Sequence, residues 1–186
     1  MARRKKTSFT KFHSAIEDIE GYYVDSEDSL NSFYDVDLNS GEISAKFFGY
    51  SKEELFDELK ERKETLDRMC SLEILAAIEA RIKIDYIVRG QDKLKDQLSK
   101  KIRVVYDSKE NRASLKEDII SVWRSEFPEH KTRLDNFCLA LDYRNWLAHG
   151  RYWQPKKAPH VHRYDYLSIY SLAEDILDNI NLIESA

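Results

Sequence analysis

Glycine and proline are scarce in this chain of 186 residues, which has five glycines and three prolines. A β-sandwich needs many tight turns, and such turns are usually built with glycine and proline. The chain also lacks any apolar run that approaches the roughly 20 residues of a membrane-spanning helix. These absences argue against a many-turned β fold and against a membrane-spanning protein. Because 42% of the residues are hydrophobic and 34% are charged, we expect residues 1–186 to form a single domain with an ordinary core.

Only two cysteines are present, and both lie among apolar residues of predicted helices. Cys70 and Cys138 are therefore interpreted as reduced core residues and not as a disulfide framework. No Cys-x-x-Cys pattern of a metal site occurs. The basic start, Met1 to Lys6, is followed by no apolar segment, so no secretory signal is expected. The predicted location is the cytoplasm.

Charge is distributed unevenly along the chain, although its net value is only −4. Between Lys11 and Lys46 there are nine acidic residues and no lysine or arginine. Residues 144–164 contain five lysines or arginines, three histidines and no acid. A basic, aromatic-rich segment in a protein that is acidic overall indicates a local site for an anionic ligand, and not general coating of DNA.

Apolar residues at helical spacing predict an all-α bundle of five to seven helices. Ser51 and Ser114 each begin a capping-box pattern that marks the start of a helix. The strongest helical pattern runs from Leu72 to Gly90. The pattern allows this helix and the one predicted before it to form one continuous helix. The acidic stretch 24–49 is interpreted as an irregular insertion. The predicted helices span about residues 8–22, 51–69, 72–90, 92–105, 114–127, 130–149 and 166–183.

The most informative stretch is the end of the predicted helix 130–149, where an arginine, an amide and a histidine occur together. On a helical wheel Asn145 falls in the middle of an apolar stripe, and Arg144 and His149 lie near its two edges. Burying such groups costs roughly 1–3 kcal/mol each unless they have partners. We therefore expect a polar network or a functional site on this face. Gly150 is expected to end the helix.

The opposite side of this helix is also apolar, since it carries Leu139, Tyr143 and Trp146. A helix that is apolar almost all round is buried on both sides. The pattern leaves two alternatives open. Either this helix is the central one of the domain, or its second face meets another subunit.

Spacing alone is weak evidence for a site. Random placement gives roughly one Arg-x(4–6)-His match in a chain of this composition, and a second match does run from Arg124 to His130. Pro128 lies between those two residues and is expected to end the helix there. Arg144 and His149, in contrast, share one predicted helix, and this context favours them.

The pattern Arg144-Asn-Trp-Leu-Ala-His149 resembles the Arg-polar-x-x-x-His signature of the HEPN superfamily, whose all-α domains carry it near the end of a bundle helix. The segment from Leu72 to Asp85 also looks like the upstream core helix of the ribonuclease-type HEPN families. The resemblance covers roughly residues 55–183, and the acidic insertion has no counterpart in it.

The resemblance implies an RNA endonuclease that needs no metal and no cofactor and acts as a homodimer with two facing copies of the motif. His149 would handle the 2′-hydroxyl or leaving-group proton, because imidazole titrates near neutral pH. Arg144 would stabilise charge on the phosphate, and Asn145 would orient His149 or contact the phosphate. The products would be a 2′,3′-cyclic phosphate and a 5′-hydroxyl. The implied role is that of a toxin or antiphage effector, with an antitoxin or another defence protein as a further partner.

Other interpretations of the motif stay open. Arg144 could form a purely structural ion pair with Glu79 or Asp85, and either acid could equally support a catalytic arginine. His149 could be a helix-ending residue that is bonded to the backbone. For the chain as a whole, the alternative is a non-catalytic HEPN module that binds RNA, a nucleotide or a partner protein.

Basic and aromatic residues that follow the motif are predicted to bind RNA through phosphate contacts and base stacking, although a solvated loop would account for them as well. His160 and His162 could hold a metal, but a lone His-x-His pair is usually incidental. The residues predicted to bind RNA are Arg151, Tyr152, Trp153, Lys156, Lys157 and Arg163.

Overall fold

The computed structural model describes residues 9, 14–39, 43–152 and 163–183. These residues contain six α-helices and no β-strand, so the predicted all-α bundle is confirmed. The helices are α1 (Ile16–Tyr34), α2 (Lys52–Gln91), α3 (Gln97–Lys109), α4 (Ser121–Glu126), α5 (Lys131–Ala148) and α6 (Tyr166–Asn179). Within these ranges, no helix combines the length and the apolar composition that crossing a bilayer requires.

The central element of the bundle is α2, a single helix of 40 residues. At 1.5 Å per residue it is about 60 Å long. It starts at the predicted capping box: the Glu54 amide donates to Ser51 Oγ at 3.2 Å, and the Ser51 amide donates to the Glu54 carboxylate at 2.8 Å. The two helices predicted over 51–69 and 72–90 are therefore one. Helices α1, α3, α5 and α6 all contact α2, so the motif-bearing α5 is not the central helix.

The interpretation of residues 24–49 as irregular is wrong in its first part, because α1 continues to Tyr34. Core packing and ring stacking help to hold this acidic helix in the bundle. Ile16 is buried in the core, and the ring of Tyr23 stacks on that of Tyr166 in α6 with centroids 3.6 Å apart. Apolar anchors at helical spacing thus outweigh the acidic composition of the segment.

Two further helices end or begin away from their predicted positions. Helix α3 begins after Asp96, whose carboxylate accepts a hydrogen bond from the Ser99 amide at 2.9 Å and caps the helix. Helix α6 ends at Asn179. The chain then leaves the helix, and the Ile183 amide donates to the Asp85 carboxylate of α2 at 2.9 Å. The end of the described chain is therefore fastened to the central helix by a polar contact.

Both cysteines are free, as predicted. Cys70 is buried in the core, and burial raises the pKa of its thiol to about 11. Cys138 is half-buried and accepts a hydrogen bond on Sγ from Arg124 Nη2 at 3.0 Å. Burial raises the pKa of this thiol as well. Both side chains are therefore protonated, unreactive thiols at neutral pH.

Gly90 allows α2 and α3 to approach closely, since a Cβ at this position would overlap the ring of Tyr106. That ring cannot easily move, because it packs on Tyr86 and its hydroxyl accepts from Gln91 Nε2 at 2.7 Å. We expect Gly90→Ala to destabilise the protein by about 1–3 kcal/mol, although alanine favours helix. Thermal unfolding followed by circular dichroism measures this effect. Gly21→Ala is the control, because its Cβ meets no atom within 4 Å, and equal melting temperatures for the two variants would contradict the prediction.

Candidate functional site

Helix α5 ends in a Schellman motif. The Gly150 amide donates to the Leu147 carbonyl at 3.1 Å, and the Arg151 amide donates to the Trp146 carbonyl at 3.1 Å. Gly150 has a φ of +76°, a conformation that glycine adopts without strain. Gly150 therefore ends the helix as predicted, and it leaves His149 as the exposed residue that caps the helix C-terminus.

Arg144 is fixed between α5 and the central helix. Its Nη2 donates to Glu79 Oε2 at 2.6 Å, and its Nη1 donates to Asn145 Oδ1 at 2.9 Å. Glu79 also accepts from Lys83 Nζ at 2.5 Å. The Glu79 side chain is only 13% exposed, which strengthens its charge-assisted bond to the guanidinium. A half-buried arginine with a fixed orientation thus lies one turn before the end of α5.

The face of α5 that packs in the bundle shares Leu134, Phe137 and Leu141 with the predicted apolar stripe, but it is rotated away from Asn145. The buried residues include Leu134, Phe137, Leu141 and Tyr143. On a helical wheel the middle of this buried face lies close to Arg144. Asn145, which was predicted to lie in the middle of this face, is exposed. The earlier expectation of a buried amide is therefore wrong. The polar groups of the motif open towards solvent, where a ligand can reach them.

Asn145 and His149 follow each other by one helical turn on the exposed side of α5. Arg144 lies beside them at the border between the exposed and the buried surface, with its side chain 30% exposed. The three predicted catalytic residues therefore occupy one end of one helix. Together they provide an imidazole, an amide and a positioned guanidinium.

Asp85, the second acid predicted to support Arg144, lies elsewhere. It is fully buried and accepts from Arg89 Nε at 2.8 Å, one turn further along α2. Burial raises the pKa of the Asp85 carboxyl, and the Ile183 amide and the Arg89 guanidinium offset this only in part. Its assignment to the candidate site is therefore corrected: Asp85 joins α2 to the segment that follows α6.

A contact that the sequence did not indicate brings Lys116 to the motif. Lys116 Nζ donates to Asp142 Oδ1 at 2.5 Å. Asp142 lies three residues before Asn145 and seven before His149, and hence on the same side of α5. The lysine comes from a π-helical turn, Leu115–Ile120, which precedes α4. The Ser114 pattern predicted the start of this segment correctly, because Ser114 Oγ accepts from the Glu117 amide at 3.3 Å, but it carries no signal for a contact 26 residues away.

Three of the six residues predicted to bind RNA lie within the described ranges. Arg151 and Tyr152 follow His149 directly and are exposed, and the Tyr152 side chain is 85% exposed. Arg163 is exposed just before α6. Trp153, Lys156 and Lys157, together with His160 and His162, lie outside the described residues.

Elsewhere in the described ranges, no group of three or more histidine, cysteine or acidic side chains has an arrangement that could hold a metal ion. Comparison of the chain with protein-family models, with curated proteins and with solved structures finds no match in any of the three.

Proposed function

We propose that this chain is a metal-independent RNA endonuclease of the HEPN type. The observation that carries the proposal is the fixed position of Arg144, which Glu79 holds beside the exposed Asn145 and His149 at the end of α5. A purely structural arginine would not need an exposed imidazole and amide next to it. The arrangement suits a phosphate group, which would accept from the guanidinium fork while the imidazole exchanges a proton with it or with its ester oxygens.

The proposed reaction is an internal transesterification. The ribose 2′-oxygen attacks the phosphorus, the bond from phosphorus to the 5′-oxygen breaks, and a 2′,3′-cyclic phosphate and a 5′-hydroxyl result. The imidazole of His149 takes the proton of the 2′-hydroxyl as a general base. Arg144 stabilises the added negative charge on the non-bridging oxygens of the transition state. Asn145 orients Arg144, since its Oδ1 already accepts from that side chain.

The 5′-oxygen must gain a proton as it leaves, and the same imidazole cannot be base and acid in one step. A second copy of the motif would supply an imidazolium for this purpose. The exposed side of α5 fits such a pairing, because Asn145 and His149 lie one helical turn apart on it and both are exposed. We therefore propose a homodimer with a composite site on this side of α5. The role of a toxin or antiphage effector, with an antitoxin or another defence protein as partner, belongs to the same proposal and rests on the resemblance alone. Cytoplasmic location is also proposed, and it is supported by the two free cysteines.

The test is cleavage of total RNA in the presence of EDTA by wild type and by His149→Ala. His149 is exposed, so its replacement should leave the fold intact, and circular dichroism and light scattering check this. We expect cleavage by wild type and a rate at least about 100-fold lower for the variant. His130→Ala is the control, because His130 belongs to the other Arg-to-His match and lies outside the motif. Equal cleavage by wild type and His149→Ala would refute the catalytic assignment.

The second candidate is a non-catalytic module that binds RNA, a nucleotide or a partner protein. The observation that favours it is the exposed Tyr152 ring beside Arg151, a pair suited to base stacking and phosphate contact. Absence of cleavage by wild type, combined with RNA binding that Tyr152→Ala weakens, would select this candidate over the nuclease.

A further inference from the structure

We propose that the groove between α1 and the first half of α2 is a docking site for a basic amphipathic α-helix of a partner protein. The groove lies on the acidic side of the bundle and involves none of the motif residues. This proposal therefore does not depend on the proposed nuclease activity.

The two helices that form the groove run antiparallel. Tyr23 donates to Asp67 at 2.8 Å, and further along α1 Glu27 pairs with Lys63 at 3.2 Å. A residue later in α1 therefore contacts a residue earlier in α2, as antiparallel helices require. Two packed antiparallel helices leave a long trough between them, and a third helix can place its ridge of side chains in that trough.

Five of the ten residues that line the groove are apolar, and three of these, Tyr22, Phe33 and Met69, are exposed. Tyr22, Leu30 and Phe33 come from α1, and Leu66 and Met69 come from α2. The exposed fractions of Tyr22 and Met69 are 59% and 60%, and the cavity has a volume of about 650 Å³. Clustered large apolar side chains on a surface mark interaction sites, and methionine adapts well to a partner surface. From residue 22 to residue 33 the groove is about 16 Å long, which matches three turns of a docked helix.

The charge around the groove selects the kind of helix. Helix α1 carries six acidic residues and no lysine, arginine or histidine, and the lining of the groove itself holds one acid, Asp25, and one base, Arg62. Two cations on the α2 side are already engaged: Arg62 pairs with Glu58 at 3.1 Å, and Lys63 pairs with Glu27. The field at the groove is therefore negative, and it complements lysine and arginine residues that flank an apolar stripe.

A second copy of this chain does not offer such a helix among the described residues. Among the described helices the basic one is α3, which buries its apolar residues Leu98, Ile102 and Tyr106 in the core of the bundle. Its one large exposed apolar side chain is Val104. The occupant is therefore assigned to a different protein.

The experiment uses the full chain and two synthetic, fluorescently labelled peptides of 14 residues. Both peptides carry leucines at helical spacing on one face; one has lysines on its flanks and the other has glutamates at the same positions. Fluorescence anisotropy measures their affinities. We expect the lysine peptide to bind wild type at least about tenfold more tightly than the glutamate peptide, and Asp25→Asn to weaken it about twofold to threefold.

Matched variants locate the binding surface. Tyr22→Ser/Met69→Ser removes two exposed apolar side chains of the groove and should weaken the lysine peptide at least about tenfold. Phe48→Ser/Val104→Ser removes two side chains that are 82% and 71% exposed outside the groove lining, and it should bind as wild type does. Equal affinity of the two peptides, or equal weakening by both double variants, would overturn the proposal. Self-association of wild type in sedimentation velocity that the groove variant alone abolishes would also overturn it, because a second copy would then occupy the groove.

Discussion

Arg144→Ala is expected to lower kcat for RNA cleavage about 1000-fold on the proposed mechanism, with a much smaller change in KM. The guanidinium has five N–H donors, and the bonds to Glu79 and Asn145 use two of them. The group is thus held in one orientation before substrate binds. Charge that develops on the phosphate during attack is stabilised most in the transition state, so the loss appears in kcat. Single-turnover cleavage of a short RNA measures the effect.

A variant of Glu79, the ion-pair partner of Arg144, tests whether Arg144 has a catalytic or a purely structural role. Glu79→Gln keeps the charge of Arg144 but weakens its anchor, and we expect a loss in kcat of only about tenfold. Arg124→Ala is the matched control, because Arg124 pairs with Asp135 at 2.7 Å and belongs to the other Arg-to-His match. It should cleave at the rate of wild type. If Arg124→Ala and Arg144→Ala lost activity equally, or if each loss followed the drop in melting temperature, Arg144 would be a structural residue only.

The sequence predicted features that depend on a few neighbouring residues. The capping box at Ser51, the cap at Ser114 and the helix end at Gly150 were all predicted from local patterns, and each of them is made by hydrogen bonds within six residues. The pairing of Arg144 with Glu79 was one of two predicted alternatives. It could be anticipated because an arginine on a packing face needs a buried acid on the neighbouring helix.

The packing face of α5 was predicted only in part. Leu134, Phe137 and Leu141 are buried as the apolar stripe predicts, but Tyr143 from the opposite side is buried too, and a helix that is apolar on both sides does not reveal this rotation. Asn145 was therefore placed in the core, although it is exposed. The contact of Lys116 with Asp142 joins residues whose relation exists only in three dimensions. Asp85 is a different case: its partner Arg89 is four residues away on the same helix, and that spacing is itself a recognisable ion-pair signal.

Arg89→Met is expected to destabilise the protein by about 3–5 kcal/mol at pH 7, because it leaves a buried carboxylate without its cation. Asp85 is fully buried, and Arg89 joins it to α3 through Ser99 Oγ at 2.9 Å and to the segment after α6 through the Asn181 carbonyl at 3.3 Å. Urea unfolding measures the loss. Arg62→Met is the control, since Arg62 is 58% exposed and its pair with Glu58 should contribute less than about 1 kcal/mol.

The stability lost in Arg89→Met should decrease as the pH is lowered. Burial already raises the pKa of Asp85 above its ordinary value, and removal of the Arg89 guanidinium raises it further. A carboxyl whose pKa is higher in the folded protein than in the unfolded chain binds its proton more tightly in the folded protein. Protonation therefore favours the folded protein, and this contribution to its stability is lost as the pH rises through the folded pKa. The difference between wild type and Arg89→Met should therefore be smaller at pH 4.5 than at pH 7. An equal difference at both values would mean that lost packing, and not the unpaired carboxylate, causes the destabilisation.

A double variant separates the cost of the unpaired charge from the value of the pair. Asp85→Leu/Arg89→Met removes both charges and fills much of the space with apolar atoms, so no buried ion is left without a partner. Because desolvation consumes most of the Coulombic gain of a buried pair, we expect this variant to be more stable than Arg89→Met alone. It should also lose the pH dependence, since the titrating carboxyl is gone. If the double variant instead lost as much stability as Asp85→Leu and Arg89→Met lose together, the ion pair itself would stabilise the contact between α2, α3 and the segment after α6.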